Sequence, residues 1–302
     1  MIFLFNFYEL YNTNSYIKAK YGKLLKDQLI KKVNLSLPKE KHMAFNKNKL
    51  IELKDFLELK TQTYCQPTFI KTDPVSIPHR YSTKEDIEVS GFLTATISWG
   101  QRVSIIKKAG ELMQMMDDQP HAFIMNFTDS DLKSIRSFVY RTFNGSDCVT
   151  FLKALRNIYL KHGGLENVFL KGFSKNKSIF EAIVYFRNVF LETPHLIRTE
   201  KHISNPANGS AAKRINMFLR WMVRQDDMAI DFGIWKTISP MYLYCPLDVH
   251  VGNVARKLGI LKRNQNDWKA VEELTNVLRT MDPDDPVRYD YGLFGLGVFE
   301  KF

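Results

Sequence analysis

The chain has 302 residues, 45% of them hydrophobic, and a formal net charge of +11. A chain of this length and composition can bury a large core, and no apolar run approaches the roughly 20 residues that a transmembrane helix needs. The three cysteines, Cys65, Cys148 and Cys245, lie far apart. Their spacing argues against a disulfide framework or a metal site and fits a reducing cytoplasm, while the positive charge favours polyanionic partners.

The first 42 residues differ from the rest of the chain. They hold eight lysines and three acidic residues, a net charge of +5, which leaves +6 for residues 43–302. From Met43 onward, Leu50, Leu53, Phe56 and Leu57 recur at helical spacing. We therefore divide the chain into a basic N-terminal extension over residues 1–42, hypothesised not to be part of the native protein, and a helical domain over residues 43–302.

The sequence of residues 43–302 predicts helices separated by short polar, proline or glycine breaks. Residues 73–79 read as an extended, proline-stiffened loop. Ser82-Thr83-Lys84-Glu85-Asp86 then reads as a helix start, with a capping residue and acidic residues in the first turn. An apolar segment from Ile87 to about Met116 is interrupted by Ser98-Trp99-Gly100-Gln101. Further helices are expected over residues 131–143, 147–161, 178–191, 210–225, 249–258, 267–281 and 287–299. The sequence thus predicts an all-α fold.

One segment stands out for its chemistry, Pro246-Leu247-Asp248-Val249-His250. An Asp at this position can simply cap the helix that follows. The segment also resembles the catalytic-aspartate segment of the helix-hairpin-helix (HhH-GPD) DNA glycosylases, the superfamily of endonuclease III and 8-oxoguanine DNA glycosylase. This resemblance implies a two-lobed helical bundle in which Asp248 is catalytic. In such an enzyme a fixed carboxylate stabilises the positive charge left on the sugar when the base departs.

A degenerate hairpin is expected within residues 203–225. Pro206 and Gly209 match the superfamily's Pro and second Gly, whereas Ala207 and Asn208 replace its first Gly and its apolar residue. The resemblance implies that backbone amides near Gly209 and Ser210 bind DNA phosphate.

Bifunctional members of the superfamily use a lysine after the hairpin to attack the sugar. One alignment places Ala211 at that position, and another, resembling the archaeal 8-oxoguanine branch, places Lys213 there; we favour Lys213. The alternative is that Lys213 belongs to a solvated or phosphate-facing basic stripe with Arg214, Arg220 and Arg224. In the glycosylase interpretation we expect these three arginines to bind DNA.

Aromatic residues complete the expected site. Trp99 and Gln101 lie in a turn that resembles the one filling the gap left by an extruded base, although this stretch also reads as a plain buried helix and its loop. Trp221, Phe232 and Trp235 are candidates for the base pocket, with a core position as the alternative, above all for Trp221. Many endonuclease III relatives carry a four-cysteine iron–sulfur loop, but no cysteine follows Cys245, so we expect no iron–sulfur cluster. We also expect no other cofactor and no metal.

The stretches 73–80, 213–224 and 246–250 are also similar to those of a bacterial family related to these glycosylases. The resemblance implies a base-excision DNA glycosylase that binds double-stranded DNA and has possible abasic-site lyase activity. It predicts a cytoplasmic, nucleoid-associated monomer without a membrane or an obligate protein partner. Two alternatives stay open: a non-catalytic nucleic-acid-binding relative, and a helical enzyme acting on a small nucleoside.

Overall fold

The computed structural model describes residues 47–302, so the extension predicted over residues 1–42 lies outside the described range. Within that range the chain is mostly helical, as the sequence predicts. Its sheet there is a two-stranded antiparallel hairpin of Val139–Tyr140 (β1) and Phe143–Asn144 (β2), in which Val139 pairs with Asn144. None of the helices in residues 47–302 is both long and apolar enough to cross a membrane.

The α-helices follow one another with short connections. They are Lys47–Tyr64 (α1), Pro67–Ile70 (α2), Lys84–Thr96 (α3), Arg102–Gln114 (α4), Pro120–Asn126 (α5), Asp131–Ile135 (α6), Gly145–His162 (α7), Leu165–Ser174 (α8), Ile179–Phe190 (α9), Lys213–Val223 (α10), Val249–Lys257 (α11), Trp268–Met281 (α12) and Asp290–Val298 (α13). Short 3-10 turns cover Pro74–Ser76, Pro78–Arg80, Ile197–His202, Pro206–Asn208, Pro240–Tyr242 and Pro286–Tyr289.

Most predicted helices are confirmed to within a few residues. Helices α7, α9, α10, α11 and α12 match the apolar periodicities from which they were predicted. The helix start predicted within residues 82–86 is confirmed, and its capping residue is Thr83, whose hydroxyl accepts a hydrogen bond from the Asp86 N–H at 3.3 Å. The sequence analysis did not anticipate α8.

Two local predictions are wrong. The helix expected over residues 131–143 ends at Ile135, and the β1–β2 hairpin follows, with Arg141 in the left-handed region at φ 53°. Residues 73–79 are not extended, because Pro74 and Pro78 each begin a 3-10 turn. Proline fixes a φ that suits the first residue of such turns as well as an extended chain, so composition did not distinguish the two.

The core is built around α3, which is buried over nearly its whole length. Phe92 of α3 lies within 6.0 Å, ring centroid to centroid, of the rings of Phe151, Phe186, Phe190 and Phe218. Helix α10 packs against α3 where Gly91 admits Met222, whose Cε lies 3.2 Å from the position that a Cβ on Gly91 would take. A Cβ at residue 91 would require the end of the Met222 side chain to move by a few tenths of an ångström.

Packing brings the starts of three helices together. Helix α13 packs against both α1 and α11, and α10 is held against α3. Lys213 begins α10, Asp248 caps α11 and Asp290 begins α13. All three residues line one cavity.

Candidate active site

The cavity has a volume of about 700 Å³ and lies between the turn at Ser98, Trp99 and Gly100 (the Trp99 turn) and the first turns of α10, α11 and α13. This volume is in the range of small-molecule and cofactor sites. Residues from distant parts of the sequence form its wall, including Phe69, Asp73, Trp99, Arg102, Lys213, Arg220, Asp248, Asp290, Tyr291 and Phe294.

Lys213 and Asp248 face each other in this cavity, with Lys213 Nζ 3.9 Å from Asp248 Oδ2. The two oxygens of Asp248 have different neighbours, because Oδ1 accepts a hydrogen bond from the Val251 N–H at 3.0 Å and so caps α11. Lys213 Nζ also donates to the Met217 sulfur at 3.5 Å. Both side chains are about a quarter exposed, so a ligand in the cavity can reach them. Asp248 is therefore both a helix cap and a cavity carboxylate.

Asp290 adds a second carboxylate beside this pair. It is 6% exposed and forms an ion pair with Arg220, and its Oδ1 accepts from the Cys245 thiol at 3.8 Å. Burial raises the pKa of Asp290 to about 6; the charge of Arg220 opposes this rise and that of Asp248 adds to it. Asp290 thus changes its charge in the range where many enzymes work.

Arg220 and Arg224 do not form the surface stripe that the sequence analysis expected, and this expectation is corrected. Each is 5% exposed. Arg220 Nε lies 3.3 Å from Asp231 Oδ1, and Arg224 pairs with Asp231 at 3.0 Å and with Asp285 at 2.8 Å. Buried guanidinium groups need such partners, and these carboxylates come from later loops that the helical pattern of α10 does not reveal.

Arg214 is also held within the protein rather than presented to DNA, which corrects its expected role. Its guanidinium donates to the backbone carbonyls of Thr96 and His202 and lies 4.9 Å from the Trp99 ring centroid. Burial lowers the pKa of Arg214 to about 10. Arg214 therefore connects the start of α10 to the end of α3, to the 3-10 turn that ends at His202 and to Trp99.

The expected hairpin is a turn at the surface. A 3-10 turn over Pro206–Asn208 leads to Gly209, which has φ 85°, a conformation that suits glycine. Gly209 and Ser210 are exposed, and nothing lies within 4 Å of the position that a Cβ on Gly209 would take. The Trp268 N–H donates to the Gly209 carbonyl at 3.0 Å, and Ser210 forms a β-bridge with Asp267. The loop before α12 therefore braces the turn.

The two residues expected to contact DNA from the turn before α4 lie in different environments. Trp99 is half-buried, lines the cavity and packs on Tyr140, with ring centroids 5.5 Å apart. Gln101 is exposed at the start of α4 and does not belong to the cavity wall. Gln101 can therefore meet only a ligand that approaches from outside the cavity.

The expected base pocket is corrected as well. Trp221 and Trp235 are fully buried, and the Trp235 indole N–H donates to Glu88 Oε1 at 2.6 Å inside the core. Phe232 packs against the His79 ring with centroids 4.3 Å apart. None of these three residues lines the cavity.

The aromatic wall comes instead from Phe69, Tyr291, Phe294 and Trp99. Only Trp99 among them was singled out from the sequence. Tyr291 and Phe294 lie in a segment read as a closing helix, and Phe69 lies in the four-residue helix α2, so neither segment carried a recognisable signal. His250 is exposed at the rim of the cavity.

No group of three His, Cys, Asp or Glu side chains within residues 47–302 is arranged to hold a metal ion. The cysteines are free and buried, and burial raises the pKa of Cys65 to about 11. Among residues 47–302, the reactive groups in the cavity wall are thus the Lys213 amine and the carboxylates, with aromatic rings beside them.

A family model described as "Protein of unknown function (DUF2400)" matches residues 73–299, about three quarters of the chain. The chain belongs to this family. The matched DUF2400 region contains Asp73, Lys213, Asp248 and Asp290. No curated protein and no solved structure matched the chain.

Proposed function

We propose that the chain is a DNA glycosylase that removes a base flipped out of the duplex and also cleaves the strand at the resulting abasic site. The observation that supports this proposal most strongly is the distance of 3.9 Å between Lys213 Nζ and Asp248 Oδ2 inside a cavity of about 700 Å³. An amine beside a carboxylate, in a cavity large enough for a nucleotide, is the arrangement that this chemistry requires.

The proposed reaction begins at the bond between the base and C1′ of the sugar. When that bond breaks, the base leaves with the electron pair and takes up a proton, and C1′ becomes positive. The Asp248 carboxylate stabilises this charge. The Lys213 ammonium gives the departing base this proton through water, so Asp248 stays ionised, and the neutral Lys213 amine then forms a new bond to C1′. Ring opening gives an iminium ion, and loss of a proton from C2′ then breaks the C3′–O bond of the strand.

The outer face beside the cavity offers groups that suit a phosphate backbone. Helix α10 begins at Lys213 without a side-chain cap, so its first amides are available at the positive end of the helix dipole. Gly209 and Ser210 are exposed next to this end. Two exposed lysines that the sequence analysis did not identify lie close in sequence to the residues that contact this turn, Lys262 in the loop before α12 and Lys269 in the first turn of α12.

A second candidate function is hydrolysis of a free nucleoside. One observation favours it: Arg214, Arg220 and Arg224 are engaged inside the protein, which leaves the duplex-binding face with less charge than the sequence indicates. The same Lys213–Asp248 pair would then act on a substrate that enters the cavity whole.

Borohydride trapping on duplex DNA with a single abasic site tests the proposal. Reduction converts the iminium ion into a stable covalent adduct, which gel electrophoresis detects. We expect the native protein and Lys153→Gln to form the adduct and Lys213→Gln to form none. Lys153 is the matched control, since it is exposed on α7 and does not line the cavity. Absence of an adduct with the native protein, together with release of a base from a free nucleoside, would favour the second candidate.

A further inference from the structure

The residues that lead into α12 contact both Asp248 and the exposed turn at Gly209. Asn266 Nδ2 donates to the backbone carbonyl of Asp248 at 3.1 Å. The next residue, Asp267, forms a β-bridge with the residue after Gly209, and the Trp268 N–H donates to the Gly209 carbonyl at 3.0 Å. Three consecutive residues therefore connect the residue that carries the cavity carboxylate to the turn that precedes α10.

Arg256 holds the other end of the Asn266 side chain. Arg256 Nη2 donates to Asn266 Oδ1 at 2.6 Å, and Arg256 Nε donates to the Arg263 carbonyl at 2.8 Å. Because the amide oxygen accepts from Arg256, the amide nitrogen is the end that faces Asp248. Arg256 belongs to α11, the helix that Asp248 caps, so Asn266 is attached to this helix at two points.

Gly252 makes room for this arrangement on α11. A Cβ on Gly252 would lie 2.8 Å from both Arg256 Nη1 and Asn266 Oδ1, closer than a real Cβ approaches another atom. Asn266 itself is exposed and lines the cavity. Hydrogen bonds of exposed groups replace bonds to water and contribute little net free energy, so the placement that Asn266 imposes on Asp248 can be measured separately from folding.

Resting on the glycosylase–lyase function proposed above, we propose that Asn266 is a positioning residue, which holds Asp248 in place relative to the turn that leads into Lys213. A duplex phosphate bound at this turn then presents C1′ of the sugar to both Lys213 and Asp248. Reaction rates depend strongly on such placement, since an error of about 1 Å lowers a rate by about 10²-fold. Asn266 acts through the backbone of Asp248 and touches no reacting atom.

The variant Asn266→Ala tests this role by separating rate from affinity. On a duplex with a single abasic site, we expect the single-turnover rate of strand cleavage to fall by about ten-fold or more, while the affinity for an undamaged duplex stays the same. Asn264→Ala is the matched control, since Asn264 is exposed in the same loop and does not line the cavity. The control should keep both values. Thermal denaturation verifies that both variants are folded.

Gly252→Ala displaces the Asn266 side chain without removing it. Alanine favours a helix more than glycine does, so the substitution should not lower the stability of α11. Its methyl group would occupy the space that the ends of Arg256 and Asn266 now fill. We therefore expect a variant that unfolds at the native temperature or above it and yet cleaves the abasic duplex more slowly. A purely structural role of Asn266 predicts no loss of rate in so stable a variant.

Amide hydrogen exchange of Val251 reports on Asp248 without any substrate. The Val251 N–H donates to Asp248 Oδ1, so a less firmly held Asp248 leaves this amide less protected. We expect faster exchange at Val251 in Asn266→Ala than in Asn264→Ala. Equal exchange in the two variants, or an unchanged cleavage rate in folded Asn266→Ala, would overturn the proposal. If the native protein cleaves no abasic duplex while the difference in exchange is present, the lyase function is refuted and the placement of Asp248 by Asn266 stands.

Discussion

The Asp248 carboxylate has two neighbours: one oxygen accepts the Val251 N–H at 3.0 Å, and the other lies 3.9 Å from Lys213 Nζ. Because the capping bond fixes the side chain, the second oxygen stays directed at the amine without help from the substrate. A rigid charge at the point where positive charge develops is the kind of preorganisation that lowers the free energy of a transition state.

Because Asp248 is both a helix cap and a cavity carboxylate, we expect Asp248→Asn to keep the stability of the fold and to lose activity. Asparagine caps helices about as well as aspartate, so we expect the free energy of unfolding to change by less than about 0.5 kcal/mol. Loss of the negative charge should lower the single-turnover rate of base excision by about 10²-fold or more. Urea denaturation and cleavage of labelled duplexes measure the two effects. Asp267→Asn, at the equivalent cap of α12, should keep full activity; equal losses in both variants would contradict the assignment.

The exposed turn at Gly209 predicts a specific defect in DNA binding. Gly209 and Gly259 both have positive φ, and nothing lies within 4 Å of an added Cβ at either. Replacement of either by alanine should destabilise the fold by about 1 kcal/mol through backbone strain. Only Gly209→Ala should also weaken binding of an undamaged duplex, since its methyl group would obstruct the approach of a phosphate. Fluorescence anisotropy at fixed salt compares the two variants, and equal affinities would argue against hairpin contact.

Asp290 predicts the pH dependence of base excision. Because the pKa of Asp290 is raised to about 6, mainly by burial, the carboxyl is ionised above pH 6 and neutral below it. In the ionised form its charge adds to that of Asp248 and stabilises the positive sugar. We therefore expect the single-turnover rate to fall by about ten-fold as the pH decreases through 6. Asp290→Asn should react at the slower rate throughout, without this inflection; an unchanged profile in the variant would exclude Asp290 as its source.

The buried partners of Arg224 predict a structural rather than a DNA-binding defect. Arg224→Ala leaves Asp231 and Asp285 without one of their cationic partners, and removal of one member of such a buried network destabilises a protein by about 3–5 kcal/mol. Arg263→Ala removes a surface ion pair with Asp267 and should leave the unfolding midpoint unchanged. A stable Arg224→Ala variant with weakened DNA affinity would restore the surface role expected from the sequence.

The sequence predicts the helices better than it predicts the site, for physical reasons. Helices such as α7 and α12 are local, since their apolar spacing and their caps at Asn144 and Asp267 lie within the segment itself. The Lys213 and Asp248 positions carry motif-like neighbours and could be singled out. What brings them to one cavity is the packing of α13 and α10 against other helices, which no local pattern describes.

The aromatic and basic residues illustrate the opposite case. Trp221 and Trp235 are residue types that suit a base pocket, yet both are fully buried, and Trp235 packs on Phe218 and donates to Glu88. The sequence favours a surface position for Arg220, but the structure pairs it with Asp290, which lies 70 residues later in the chain. Residue type and helical spacing do not specify partners at such separations, so these roles could be assigned only from the structure.

The most direct measurement of the central claim is mass spectrometric mapping of the borohydride-reduced adduct between the native protein and an abasic duplex. The account predicts one modified peptide, with the sugar remnant on Lys213 Nζ, and no adduct with Lys213→Gln. An adduct on another lysine, or one that persists in Lys213→Gln, would contradict the claim that the Lys213–Asp248 pair is the reactive centre.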